Sequence, residues 1–167
     1  LWPENLFTAH DEATDQWAQI QLQEAEADKK AKRPRGAKER ARKYEFELDG
    51  LRIVFPATAG AIRREGKVLD HCVGGYASRH MSGVCTILFL RRADEPHTPY
   101  ITIEMDGNKI RQIHGYHNDT LAGSPKPREV HKDFLAAWLR WLRAGSKRKE
   151  DGTPKLPKRR AKKKAAA

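Results

Sequence analysis

Short stretches in which apolar and polar residues alternate predict a β-sheet. Residues 44–48 alternate apolar side chains with glutamate, and residues 51–55 resume after Asp49-Gly50, a strong signal for a two-residue hairpin turn. Residues 84–90 are almost continuously apolar, as in a strand covered on both faces. Residues 100–105 alternate strictly, and residues 109–115 return after a turn at residues 106–108. The last three stretches predict an antiparallel meander with residues 84–90 at the centre of the sheet.

Helical spacing and capping residues predict helices around this sheet. Residues 5–32 favour helix but carry few apolar side chains, which indicates a helix on a surface or against another domain. Thr58 is placed to cap a short helix over residues 59–64, which Gly66 would end. Near the other end, apolar residues follow helical spacing at Val130, Phe134, Trp138, Trp141 and Leu142.

The predicted fold class is therefore α+β. We expect an antiparallel sheet of about five strands, built from two hairpin or meander units. Three helices accompany the sheet: an N-terminal helix, a short helix at the motif His71-Cys72, and a C-terminal amphipathic helix. The predicted organisation is an N-terminal helix and basic linker over residues 1–43, a core over residues 44–143, and a basic, disordered tail over residues 144–167. Residues 29–43 could equally form the exposed face of a broken helix.

The first residue, the lack of long apolar runs and the cysteine content bear on the size of the whole protein and on its cellular compartment. The sequence begins with leucine, so we expect the C-terminal piece of a longer protein and a missing upstream domain. It has no run of about 18 apolar residues and no secretion-signal layout, so we expect no membrane partner. Two cysteines without a disulfide framework favour a reducing cytoplasm.

The net charge of +11 is concentrated in two flanking segments. Residues 29–43 hold nine lysines and arginines against one glutamate, and residues 144–167 hold ten against two acidic residues. Such segments can neutralise phosphates and release counterions, so we expect RNA or DNA as the partner. The alternatives are that lysine-rich ends only maintain solubility, or that a protein is the partner. The candidate phosphate contacts are Lys29, Lys30, Lys32, Arg33, Arg35, Lys38, Arg40, Arg42, Lys43, Lys158, Arg159, Arg160, Lys162, Lys163 and Lys164.

Candidate chemistry is concentrated in residues 65–76, which read EGKVLDHCVGGY. Asp70 can cap a helix that begins near His71, and Cys72 in its first turn would lie where the helix dipole favours a thiolate. The alternative is structural: Cys72 and Val73 would be buried apolar residues, and the two following glycines would allow close backbone packing.

A polar sheet face supplies further candidates. A three-residue turn would place Gln112 opposite Thr102 and His114 opposite Tyr100, so that these side chains converge with Glu104. A two-residue turn would change the register and disperse them. The alternative is an ordinary solvated sheet face.

A catalytic hypothesis follows from these residue types. Cys72 would be a nucleophile or His71 a general base, and the supporting hydrogen bonds would come from Glu104, Gln112, His114 and Asn118. In a second version, His71, Glu104 and His114 cleave RNA by acid–base catalysis without the cysteine. Adjacent residues on a helix point about 100° apart, so His114 or His117, rather than His71, would have to serve as the base for Cys72.

The same residues do not predict a metal or an identifiable cofactor. Cys72, Cys85 and the histidines lack the spacing of usual zinc sites. Gly74-Gly75 is too short a signal for a phosphate-binding loop.

The order of residues along this region resembles the PcfJ-like family. The resemblance covers about residues 51–138, with a weaker similarity in the opening residues, and His114 stands where we expect arginine in relatives. The resemblance implies a protein encoded on a conjugative plasmid, an integrative element or a phage. It implies no particular reaction, because the family has no established biochemical activity. The function predicted on both grounds is an accessory nucleic-acid-binding domain of such an element, with an RNA-cleaving or thiol-dependent hydrolase as the alternative. The resemblance rests on Glu65, Gly66, Leu69, His71, Cys72, Val73, Gly75, Tyr76, Gly83, Ile87, Arg91, Pro96, Pro99, Tyr100, Thr102, Glu104, Gln112, Gly115 and Asn118.

Overall fold

The computed structural model of the protein describes Gln19, Gln23 and residues 26–158. The chain divides into two units between Arg33 and Pro34. Residues 26–30 are helical, as are Gln19 and Gln23, and the rest of the helix predicted over residues 5–32 lies mostly outside the described residues.

The second unit begins with the predicted hairpin. Strand β1 spans Phe46–Leu48 and strand β2 spans Leu51–Val54, with Leu48 paired to Leu51. Asp49 and Gly50 have φ angles of 49° and 76°. Positive φ at both central residues gives a turn whose twist matches that of the strands. The hairpin prediction is confirmed.

Strands β3 (Thr86–Arg92), β4 (Ile101–Asp106) and β5 (Lys109–His114) form the predicted meander. The five strands are arranged in the order β1-β2-β3-β4-β5, and every neighbouring pair is antiparallel. Strand β3 is central, as predicted, and residues 87–91 are buried. The α+β prediction is confirmed.

The register between β4 and β5 differs from the predicted one. Gln112 lies opposite Glu104, and His114 lies opposite Thr102. The turn has two residues, because Asp106 pairs with Lys109. The register shifts between Glu104 and Met105, which leaves Arg111 as an extra residue in a β-bulge. The bulge restores the convergence that a two-residue turn alone would have dispersed.

Helices cover both faces of the sheet. Helix α1 spans Ala37–Tyr44, α2 spans Ala59–Val68, α3 spans Ala77–Ser82, α4 spans Pro127–Val130 and α5 spans Lys132–Arg143. A 3₁₀ helix at Cys72–Tyr76 lies between α2 and α3. Residues 29–43 were predicted to be a basic linker or the exposed face of a broken helix, and residues 37–43 belong to α1, as the second alternative requires.

One sheet face packs against α1 and α5. Trp138 and Trp141 are completely buried in this core, and the Trp138 Nε1–H group donates to the Tyr44 carbonyl at 2.9 Å. Burial of each large apolar side chain contributes roughly 1.5–3 kcal/mol. Val130 was predicted to share this buried helix face but is 56% exposed, because its short helix is separate from α5.

The opposite face packs against α2, the 3₁₀ helix and α3. Ile62, Val73 and Ala77 meet Ile87 and Phe89 of β3 in this second core. Thr58 caps α2 as predicted, accepting a hydrogen bond from the Ala61 amide at 3.1 Å. Gly66 does not end α2, which continues to Val68. A Cβ atom at Gly66 would lie 2.8 Å from the Gly74 amide nitrogen, so this glycine allows the close approach of the two segments.

Residues 146–148 contact α1 and α5, although the composition of the segment after Gly145 predicted disorder. The Trp141 Nε1–H group donates to the Lys147 carbonyl at 2.6 Å, and Ser146 Oγ donates to the Lys43 carbonyl at 2.7 Å. The Arg148 guanidinium lies over the Trp141 ring at 5.1 Å. Residues 159–167 lie outside the described part of the chain.

None of the helices in the described residues has the length and apolar character needed to cross a membrane.

Candidate functional site

A small cavity lies between the sheet face that packs against α2 and the segment that follows α2. The chain leaves α2 through Asp70, whose φ angle is 49°, and His71 then caps the 3₁₀ helix. The His71 amide donates to the Gly66 carbonyl at 3.0 Å. This connection directs the residues after Asp70 back toward β4 and β5.

All six predicted catalytic candidates line this cavity, whose volume of about 30 Å³ accommodates one or two water molecules. The structure therefore brings together residues that are up to 47 positions apart, from His71 to Asn118. The cavity-lining residues are His71, Cys72, Val73, Tyr76, Ile87, Thr102, Glu104, Gln112, His114 and Asn118.

Of the polar strand residues, those of β4 are buried, whereas Gln112 of β5 is exposed and the His114 side chain is 41% exposed. Thr102 is 7% exposed and Glu104 is 5% exposed. A Glu104 carboxylate oxygen lies 3.6 Å from Nη1 of Arg111, the bulged residue of β5. The cavity thus contains a buried carboxylate with one partly exposed cation at its side.

His114 lies beside a carboxylate that the sequence analysis missed. Its Nδ1 atom is 3.4 Å from Oδ2 of Asp119, which is 8% exposed. The other Asp119 oxygen accepts the Gly115 amide at 3.0 Å. Asp119 therefore occupies a fixed position beside the imidazole of His114, although His114 Nδ1 makes no hydrogen bond to it in this structure.

An unusual backbone turn places this carboxylate. His117, Asn118 and Asp119 all have positive φ angles, of 51°, 53° and 58°. The His117 amide donates to the Leu69 carbonyl at 2.9 Å, and its Nε2 atom lies 2.9 Å from Oδ2 of Asp70. These two contacts tie the turn to the His-Cys segment. His117 itself is not among the cavity-lining residues, so His114 is the better candidate for a base.

His71 presents a polar atom without a partner. Its Nδ1 atom accepts the Val73 amide at 3.5 Å, whereas its buried Nε2 atom has no hydrogen-bond partner among the described residues. Burial, and secondarily the charge of His114, lowers the pKa of His71. A neutral imidazole that accepts at Nδ1 carries its proton on Nε2, so His71 can donate a hydrogen bond there.

The two cysteines differ in access. Cys72 is an exposed free thiol, which makes the buried structural role considered for it wrong, while Val73 is buried as that alternative required. Cys85 is buried, and its burial raises the pKa of its thiol. Only Cys72 of the two lines the cavity.

A buried ion pair between α2 and β3 contacts Thr102, one of the cavity-lining residues. Arg91 Nη1 donates to Glu65 Oε1 at 2.9 Å, and Thr102 Oγ1 donates to the same oxygen at 3.3 Å. Burial raises the pKa of Glu65, against the opposing effect of Arg91. Both residues were among the positions that carried the family resemblance, which was a signal for their importance. Their role was missed because nothing in the local pattern pairs residues from two separate elements.

The predicted phosphate contacts differ in their exposure and in whether the structure already uses their charge. Lys29, Lys30, Lys32 and Arg33 are exposed in the first unit, Lys158 is exposed, and residues 159–164 lie outside the described residues. Arg40 is committed to structure, since its guanidinium donates to the Cys85 carbonyl at 2.6 Å and to Thr86 Oγ1 at 3.1 Å. We therefore leave Arg40 out of any interface. Arg35, Lys38 and Arg42 are exposed, and Lys43 is half-buried.

The fold brings the two basic segments together. Arg148 Nη2 donates to the carbonyls of Arg42 and Glu45, at 3.2 and 2.6 Å. A groove of about 700 Å³ results, in which five basic side chains face one acidic side chain, that of Glu39. We call these five residues the joined basic surface: Arg42, Lys43, Lys147, Arg148 and Lys155.

The described residues contain no group of three or more His, Cys, Asp or Glu side chains that could hold a metal ion. What the cavity does offer is an accessible thiol, an imidazole held beside a carboxylate, and hydrogen-bond donors. These groups can transfer protons and form covalent bonds.

Comparison with known proteins identifies a family for this chain but does not indicate a reaction. A family model described as "PcfJ-like protein" matches residues 1–126, so the match begins earlier in the chain than the resemblance noted above and ends before α5. The chain is 32% identical over 120 residues to an uncharacterized protein of Listeria innocua. This alignment covers 71% of the chain and 25% of the relative, so the chain spans about a quarter of the relative's length. No solved structure matches the chain.

Proposed function

The chain belongs to the PcfJ-like family, and we propose that it binds nucleic acid by contacting phosphate groups with the joined basic surface. RNA and DNA share this phosphate chemistry, and the binding assays below separate them. The observation that carries the proposal is that two basic segments about a hundred residues apart in sequence form a single groove.

The availability of the charges supports this proposal. The side chains of Arg42, Lys147 and Lys155 are exposed and make no ion pair within the described part of the chain. A cation that already has a carboxylate partner releases few counterions when it binds a phosphate. These three side chains have no such partner, so their binding to phosphates would release counterions. A groove with several free cations and one carboxylate favours a polyanion over a neutral partner.

Arg148 contributes in another way. Its guanidinium is occupied by backbone carbonyls of α1 and by the Trp141 ring, so it holds the C-terminal segment beside α1. Lys147 and Lys155 consequently lie next to Arg42. Pre-ordering of these charges lowers the entropy cost of binding relative to a disordered basic tail.

The biological setting is also a proposal. We propose that such a domain acts in a conjugative element or a phage, as an accessory to a longer protein, and the family resemblance supports this setting. The free thiols of Cys72 and Cys85 favour a reducing cytoplasm for it.

A pair of charge-matched variants tests the proposal. Lys147→Gln/Lys155→Gln removes two lysines from the groove, and Lys67→Gln/Lys132→Gln removes two exposed lysines from α2 and α5. Binding to labelled single-stranded RNA and duplex DNA is measured at one fixed, moderate salt concentration. We expect the groove variant to lose at least about tenfold in affinity and the control variant to lose much less. Equal losses in the two variants would mean that net charge, not this surface, governs binding, and would overturn the proposal.

A further inference from the structure

The cavity around Cys72 is separate from the joined basic surface, and it contains an accessible thiol. Cys72 is exposed and lines the cavity together with His114. A thiol in such a position becomes a catalytic nucleophile when a base in the same cavity can remove its proton.

His114 has the surroundings of such a base. Its Nδ1 atom lies 3.4 Å from Oδ2 of Asp119; the two atoms are not hydrogen-bonded in this structure, but a small rotation of the ring would let an Nδ1–H group donate to the carboxylate. The Nε2 atom then carries the lone pair that accepts a proton. Asp119 is itself held by the Gly115 amide, so the carboxylate that would orient the ring has a fixed position.

Hydrogen-bond donors surround the same space. The buried Nε2–H group of His71 has no partner among the described residues, and the side-chain amides of Gln112 and Asn118 also line the cavity. Donors that are already in place can stabilise an oxygen on which negative charge develops.

The charges of the cavity select the kind of substrate. Glu104 lines it and Asp119 lies behind His114, both as buried carboxylates, and Arg111 is 3.6 Å from the first of them. Two buried carboxylates repel a phosphodiester anion and tolerate an uncharged group. This electrostatic environment disfavours RNA cleavage and favours attack on a neutral carbonyl.

We propose that this cavity is the active site of a thiol-dependent acyl hydrolase, with Cys72 as nucleophile, His114 as general base and Asp119 as the residue that positions His114. The substrate class is an ester or amide whose carbonyl group is uncharged. The inference goes beyond nucleic-acid binding and does not rest on it.

The proposed reaction has two steps. Cys72 Sγ forms a bond to the carbonyl carbon while its proton passes to His114 Nε2. The carbon–oxygen or carbon–nitrogen bond of the substrate then breaks, the leaving group takes the proton from His114, and a thioester remains on Cys72. Water, deprotonated by His114, attacks this thioester and releases a carboxylic acid, and the proton returns to the thiol. No oxidant, reductant or further reactant is required.

The neutral ester p-nitrophenyl acetate is a suitable probe. Mixing it with an excess of the 167-residue chain should release p-nitrophenolate and leave an acetyl group on Cys72, which mass spectrometry of the digested protein locates. Cys72→Ala should abolish the acetylation at this position and most of the release. Cys85→Ala is the matched control, because this thiol is buried, and it should leave both unchanged.

The decisive comparison uses variants that retain Cys72. His114→Gln leaves the thiol in place without a base, and we expect acylation to slow by about 10²-fold. Asp119→Asn should slow acylation less and shift the pH profile, as a positioning role requires. Circular dichroism establishes that each variant is folded. Acylation of a folded His114→Gln variant at the wild-type rate would overturn the inference, whatever the outcome of nucleic-acid binding.

Discussion

Arg91 and Glu65 form an ion pair that is buried between α2 and the sheet, with the two side chains 7% and 1% exposed. Both guanidinium nitrogens of the terminal fork donate to the carboxylate, one to each oxygen. Thr102, which lines the cavity, donates to the same carboxylate. The pair therefore links the helix that precedes the His-Cys segment to the strands that carry the other site residues.

Removal of one member of this pair should destabilise the fold strongly. In Glu65→Leu the Arg91 cation stays buried without a counter-charge, and we expect the free energy of unfolding in urea to fall by about 3–5 kcal/mol. In the double variant Glu65→Leu/Arg91→Met both charges are gone, so most of that loss should be recovered. A double variant that is no more stable than Glu65→Leu would show that the charges themselves are not the source of the effect.

Gly66 should be far less tolerant of a methyl group than Gly75. A Cβ atom at Gly66 would meet the Gly74 amide at 2.8 Å and the His71 carbonyl at 3.0 Å, whereas one at Gly75 meets nothing within 4 Å. We expect Gly66→Ala to cost about 1–3 kcal/mol of unfolding free energy and to disturb the cavity. Gly75→Ala, the control in the neighbouring 3₁₀ helix, should change it by less than about 1 kcal/mol. Urea unfolding of the two variants distinguishes these outcomes.

His80 should make the fold sensitive to acid. It is fully buried, its Nδ1 atom accepts the Ile87 amide at 3.1 Å and lies 3.4 Å from Nη2 of Arg40, and its Nε2 atom contacts the Pro56 carbonyl at 3.2 Å. Burial, with the charge of Arg40, lowers the pKa of His80 to about 4. In the unfolded chain the pKa of histidine is about 6.5, so between these values the unfolded state binds a proton that the native state does not.

The stability due to this residue is therefore complete above about pH 6.5 and is lost as the pH falls toward 4, by about 3 kcal/mol in total. In His80→Asn, the Oδ1 atom can still accept the Ile87 amide but does not titrate. We expect unfolding free energies of this variant to fall less steeply with acidity than those of the wild type. Equal slopes in the two proteins would contradict the role given to His80.

Arg148 should determine whether the C-terminal segment stays on the core. Its guanidinium binds the Arg42, Glu45 and Gly152 carbonyls and stacks on Trp141. We expect Arg148→Ala to speed hydrogen exchange at residues 146–155 and to weaken nucleic-acid binding more than Lys149→Ala, which also removes one positive charge. Unchanged exchange in these residues would mean that other contacts, such as that of Trp141 Nε1, are sufficient.

Some of this architecture follows from local pattern. The Asp49-Gly50 hairpin, the central strand β3 and the Thr58 cap depend on neighbours in sequence, and the sequence predicted each. The His-Cys segment and the polar strand positions also led to six residues that share one cavity. The hairpin, the central strand and the cap were predicted correctly because alternation and capping are short-range properties.

Other features depend on contacts that no local pattern contains. The bulge at Arg111 changed the register of Gln112 and His114, and Asp119 reaches His114 only through a turn with three positive φ angles. Composition alone predicted disorder after Gly145, but Trp141 and Arg148 supply specific partners for that segment. Long-range pairing of this kind overrides local preference, as it does for Glu65 and Arg91.

The dependence of nucleic-acid affinity on salt tests the proposed function at the level of individual contacts. For the wild type, the logarithm of the binding constant should fall linearly with the logarithm of salt concentration, with a slope of about −0.9 per phosphate contact on duplex DNA. Lys147→Gln/Lys155→Gln should reduce the magnitude of that slope by about 2, and Lys67→Gln/Lys132→Gln should leave it unchanged. Binding that does not respond to salt, or a slope that both variants alter equally, would contradict the account of the joined basic surface.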